Sequence, residues 1–193
     1  MEILEAGYYY HVYNRGNNKE KLFIENSDYV YFLKLFKRYI HEIADIYCFC
    51  LLSNHFHFLI RMKELKEIKS YDLREKPYSR SLSNYFNAYT KYFNLKYDRT
   101  GSLFQKSFKR KRIDNEVYLK ILIHYIHTNP VHHEVCDDFT LYKYSSYKVI
   151  LRKQPTILER EKVIDLFEDE ENYVFTHNQK ARVVFIKNFI QDD

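Results

Sequence analysis

His55-Phe56-His57 sets two imidazoles two residues apart, and on a β-strand such a pair shares one face and can grip a single divalent ion. Tyr125 and Asn129 stand four apart in a stretch with helical periodicity, so a phenol and an amide oxygen project from one side of that helix near its C-terminal end. A phenol beside a metal can act as a nucleophile. Between the two motifs, residues 99–112 carry six basic side chains, Arg99, Lys106, Lys109, Arg110, Lys111 and Arg112, interleaved with Phe104 and Phe108 and with no acidic residue. That composition suits a phosphate-binding stripe. Each feature also has a plainer explanation when taken alone. An isolated H-x-H can flank a buried phenylalanine, Tyr125 is one of 20 tyrosines and fits a core position, and a basic run fits a solvated strand.

The elements that must position these groups follow from hydrophobic spacing. YYYHVYN, residues 8–14, is rich in β-formers and reads as a first strand, ended by a turn through Gly16 and Asn17. Ser27 is placed to cap a helix whose apolar face holds Tyr29, Phe32, Leu33, Phe36, Ile40 and Ile43. Residues 46–52 and 55–62 are β-like runs separated by Ser53-Asn54, an antiparallel hairpin whose second strand carries both histidines. Residues 63–80 read as a long loop, 81–95 as a helix, and 107–113 as a short strand. Asp114 is placed to cap the helix bearing Tyr125, and Pro130 to close it. Short helices are expected at 144–151 and 161–167. The strand and helix order predicts an α+β fold, a central antiparallel sheet with helices packed on one face.

Composition narrows the setting. A chain of 193 residues suits one main domain with an appendage, and its longest uninterrupted apolar run, residues 46–52, is far below the roughly 20 residues of a membrane span. Three cysteines without a disulfide-like spacing, Cys48, Cys50 and Cys136, suit a reducing compartment, so a cytoplasmic location without membrane partners is expected. Charge is uneven: residues 155–193 hold nine acidic and five basic side chains, net −4, against +5 for the whole chain. The body is therefore basic, as a nucleic-acid partner requires.

The segments LLSNHFHFLI, RTGSLFQKSFKRKRI, YLKILIHYIHTNPV and YKYSSYKVIL, following the opening YYYHVYNRGNNKEKLF, together resemble the REP-associated tyrosine transposases. These belong to the single-tyrosine His-hydrophobic-His (HUH) insertion-sequence transposases. The resemblance covers residues 7–151 and implies that residues 1–151 are a transposase or nuclease domain of ferredoxin-like fold, with 152–193 a helical appendage. It implies Tyr125 as the nucleophile, His55 and His57 as ligands of Mg²⁺ or Mn²⁺, and Asn129 as the third ligand. It further implies single-stranded or hairpin DNA as substrate, cut and rejoined through a 5′-phosphotyrosine. Members of the family differ in whether the tyrosine helix serves its own subunit or a partner's, so a homodimer is one of two expected assemblies. Many relatives have a basic residue directly after NPV, where this chain has His132 and His133.

Two other readings stay open at this level. Cys48, Cys50, His55 and His57 have the composition of a Cys₂His₂ zinc site, although four residues between the pairs is tight for a closed tetrahedron. A DNA-binding protein without cleavage activity would keep the same basic stripe.

Overall fold

A computed structural model describes residues 2–69, 77–105 and 107–179. The aromatic-rich opening forms strand β1 (Tyr9–Arg15), followed by helix α1 (Asn26–Tyr39), hairpin strands β2 (Ala44–Leu51) and β3 (His55–Met62), helix α2 (Pro77–Lys96) and strand β4 (Lys109–Ile113). The four strands pair antiparallel in the order β2-β3-β1-β4. This is the ferredoxin-like βαββαβ arrangement of an α+β fold that the resemblance implies, but the helices are not confined to one face: α1 and α2 pack on one side of the sheet, and the helix that follows β4 crosses the other. Helix α3 (Glu116–His132) follows, then α4 (Tyr147–Leu151), α5 (Arg160–Leu166) and α6 (Glu170–Asn178).

Strand alternation divides β3 between two environments. Phe56 and Phe58 turn toward α1 and α2, where Phe58 stacks on Phe36 at 4.0 Å and Phe32 meets Phe56 and Tyr85 at 5.3 and 4.9 Å. Full burial of such rings is worth roughly 1.5–3 kcal/mol each, so this aromatic layer is the main adhesive between helices and sheet. His55 and His57 point the other way, to the face crossed by α3, where the rings of His57 and Tyr125 meet.

Local details differ from the sequence expectations in instructive ways. Helix α1 is capped at Glu25, not Ser27. Buried Asp28 accepts hydrogen bonds from the backbone N–H groups of Ile24 and Glu25 at 2.8 and 2.9 Å, closing the first turn two positions earlier than a cap at Ser27 would. The loop expected to reach residue 80 ends sooner, because α2 starts at Pro77, whose fixed φ suits a first helical position; residues 70–76 lie outside the described residues. Asn115, not Asp114, caps α3 by accepting from Tyr118 N–H at 2.8 Å, while Asp114 pairs with Arg112 at 2.6 Å.

Pro130 does not close α3, which continues to His132. Proline removes one helical N–H, but the bond from His133 N–H to Asn129 O at 3.0 Å carries the turn past it. Asn129 therefore lies inside the helix rather than at its cap. At the other end of the chain, Glu159 N–H reaches Ile46 O at 2.8 Å and Val163 of α5 is fully buried, so the segment after residue 151 packs directly against β2. Helix α6, which the sequence pattern does not announce, packs on α3.

Candidate active site

His55 and His57 owe their common face to the period of β3, and Tyr125 and Asn129 owe theirs to one turn of α3. Their rings and amide converge within one chain. The His55 and His57 ring centroids lie 5.2 Å apart at 90°, and Tyr125 stands edge-on to His57 at 5.6 Å. His55 Nε2 and Asn129 Oδ1 are 3.2 Å apart, and His55 Nδ1 lies 2.7 Å from Asn54 Oδ1.

Protonation is set by burial. His57 is enclosed, and its imidazole is held well below the ordinary value by that burial first and then by neighbouring His11, His55, His133 and Arg15. It is neutral at pH 7 and presents a lone pair rather than a charge. Its Nδ1 lies 2.9 Å from His11 Nε2, whereas its Nε2 has no hydrogen-bond partner among the described residues. The Asn129 Nδ2 amide is likewise buried without a partner.

The donor set fits a divalent ion. Neutral His57 leaves one nitrogen uncommitted, and the 3.2 Å between His55 Nε2 and Asn129 Oδ1 is close to the spacing of neighbouring donors on an octahedral ion with bonds of about 2.1 Å. Among the described residues, no group of three or more His, Cys, Asp or Glu side chains is gathered as a metal cluster; the amide oxygen of Asn129 is the further donor that stands beside His55. Cys48 and Cys50 are buried strand residues whose thiols are pushed well up by that burial, and they are not drawn into a cluster with His55 and His57.

No family model and no curated relative matches the sequence. Among solved structures the chain is similar to a REP-associated tyrosine transposase bound to a REP hairpin, with a TM-score of 0.59 and 16% identity over 81% of this chain and 87% of that one. The fold is that of a REP-associated tyrosine transposase.

Within this transposase fold, the basic stripe is divided by strand alternation. Lys109 and Lys111 pair in register with Tyr13 and His11, on the face that carries His57. Their ammonium groups lie over the rings of Tyr13 and Tyr118 at 5.9 and 5.6 Å. Arg110 and Arg112 face the opposite side. Arg110 donates to the Glu2 carbonyl, and Arg112 pairs with Glu5 and Asp114 at 2.7 and 2.6 Å while covering Tyr8. Arg99 is joined to Glu20 at 2.5 Å and to Asn94 at 2.8 Å; Lys106 lies outside the described residues.

Several site residues carry no sequence signal of their own. Arg15, in register with His55, lines a cleft together with Asn14, Gln105, Lys109, His55 and His57. A bridge between Gly16 and Phe104 brings Gln105 there, and Gln105 N–H donates to Arg15 O at 3.0 Å. Gly16 is needed for this approach: a Cβ on it would fall 2.0 Å from Glu20 O. His132 stacks on Tyr125 at 5.9 Å and His133 meets His55 at 4.5 Å, so both histidines after NPV flank the site.

Among the described residues, no helix is long and apolar enough to cross a membrane.

Proposed function

We propose that this protein is a metal-dependent transposase-like enzyme that cuts and rejoins single-stranded or hairpin DNA through a covalent bond to Tyr125. The observation that carries the reading is the meeting, within one chain, of Tyr125 with His57 at 5.6 Å and of Asn129 with His55 at 3.2 Å. The hairpin bound to the structural neighbour supports hairpin DNA as the substrate class.

His55, His57 and Asn129 would hold Mg²⁺ or Mn²⁺, with Mn²⁺ better matched to two imidazoles. The ion would supply Lewis-acid polarisation of the scissile phosphate and stabilise charge on the leaving oxygen. A phenol of ordinary pKa, about 10, is otherwise a weak nucleophile at neutral pH. Tyr125 Oη attacks phosphorus, the bond from phosphorus to the 3′ oxygen breaks, and a 5′-phosphotyrosine and a free 3′-hydroxyl result. Attack by another 3′-hydroxyl reverses the step and joins new strands, with no nucleotide cofactor. Lys109 and Lys111, on the histidine face, would carry the DNA backbone toward the cleft lined by Arg15 and Gln105.

The test is incubation of wild type and Tyr125→Phe with end-labelled hairpin DNA and Mn²⁺, scored for a denaturant-resistant protein–DNA adduct. The hairpins should come from DNA flanking the gene. An adduct in wild type that disappears in Tyr125→Phe and in EDTA is expected. Persistence of the adduct in Tyr125→Phe would move the nucleophile elsewhere, and hairpin binding with no adduct in wild type would leave a DNA-binding protein without cleavage.

A further inference from the structure

We propose that His11 is a positioning residue that fixes the tautomer of His57 and so commits His57 Nε2 to the ion; this rests on the metal-dependent reading above. His11 sits in β1, 46 residues before His57, and antiparallel pairing of β1 with β3 brings its Nε2 to 2.9 Å from His57 Nδ1. Both residues are enclosed, each only 1% exposed, so water does not compete for the contact. His11 is held flat by stacking on Tyr13 at 4.5 Å and 21°, and its plane lies within 15° of the His57 plane.

One proton lies along the line between the two facing nitrogens, and two arrangements are available. If His11 donates, His57 must carry its own proton on Nε2, an N–H with no acceptor among the described residues and no lone pair for a metal. If His57 donates from Nδ1, its Nε2 lone pair is exposed toward the site. Only the second arrangement is compatible with ligation, and His11 selects it by accepting. The logic is that of outer-shell partners generally, in which the group bonded to the second ring nitrogen sets the orientation and basicity of a ligating histidine. No other nitrogen or oxygen is found hydrogen-bonded to His57 Nδ1 among the described residues, so the role falls to His11.

Mn²⁺ affinity without DNA, read from the loss of the free-ion electron paramagnetic resonance signal, separates the possibilities for wild type, His11→Phe and His11→Gln. His11→Phe keeps a flat ring but cannot accept, and a 10–100-fold weaker Mn²⁺ dissociation constant is expected. His11→Gln, whose amide oxygen can accept the same proton, should recover most of that loss. Equal affinities in wild type and His11→Phe would overturn the proposal while leaving the metal site intact. Absence of Mn²⁺ binding in wild type would instead overturn the metal reading, and this proposal with it. Nitrogen NMR of ion-free wild type gives a second readout independent of variant folding. The proton is expected on His57 Nδ1, and its presence on Nε2 would overturn the assignment.

Discussion

His55 Nε2 lies 3.2 Å from Asn129 Oδ1, which ties the strand bearing both histidines to the helix bearing Tyr125. Because Asn129 is fully buried, removing its side chain takes away a candidate ligand and leaves His55 without that partner. Asn129→Ala should weaken Mn²⁺ binding at least tenfold and cost roughly 1–3 kcal/mol of stability. Asn129→Asp, which adds a charged oxygen ligand, should bind Mn²⁺ more tightly than Asn129→Ala. Calorimetric titration with Mn²⁺ checks both, and unchanged affinity in Asn129→Ala would remove the amide from the ligand set.

The two faces of β4 should behave differently toward DNA. Lys109→Ala and Lys111→Ala are expected to weaken hairpin binding for all sequences and to reduce the slope of log affinity against log salt by about 1 each. Arg112→Ala, whose guanidinium is already engaged by Glu5 and Asp114, should change that slope little and act mainly on stability. Fluorescence anisotropy at several salt concentrations measures the slopes. A larger effect from Arg112 than from either lysine would place the DNA on the opposite face.

His177 of α6 predicts an acid-sensitive contribution to stability. Burial first, and then nearby His124, lower its imidazole to about 3, against an opposing bond to the Tyr173 carbonyl. It meets His127 of α3 at 2.9 Å, and His127 in turn lies 2.8 Å from Ser146. A group whose folded pKa is depressed contributes stability above its unfolded pKa. That stability is lost as pH falls from about 6.5 toward about 3, at up to about 1.4 kcal/mol per pH unit for one proton. His177→Leu should be less stable at pH 7 but show a shallower decline between pH 6 and pH 4 in denaturant melts. Identical slopes would mean that His177 is not held neutral in the fold.

Gly16→Ala should destabilise the protein by roughly 1–3 kcal/mol, since its Cβ would fall 2.0 Å from backbone oxygen of Glu20 and the neighbouring turn would have to shift. The same shift moves the bridge to Phe104 and with it Gln105 and Arg15, so hairpin binding should weaken in parallel. Urea melts and anisotropy together check the coupling.

Much of this architecture is legible in the chain because its cues are local. The alternation in HFHFLI, the apolar spacing through Phe32 and Phe36, and the four-residue step from Tyr125 to Asn129 each follow from the geometry of a single strand or helix. Where local cues compete, the sequence misleads by a few residues. Glu25, in a reciprocal capping box with buried Asp28, takes the cap expected of Ser27 at the start of α1, and α3 runs on through Pro130.

By itself, then, the sequence determined the strands, the main helices and the candidate chemical groups, since hydrophobic period and side-chain type require no partner to be read. Only the tertiary structure decided that Tyr125 meets the histidines of its own chain, that Lys109 and Lys111 share their face while Arg110 and Arg112 do not, and that His11 touches His57. The physical reason is register. A shift of one residue between β1 and its neighbours would send every side chain to the other face, and that choice is made by packing across the whole sheet rather than within any one segment.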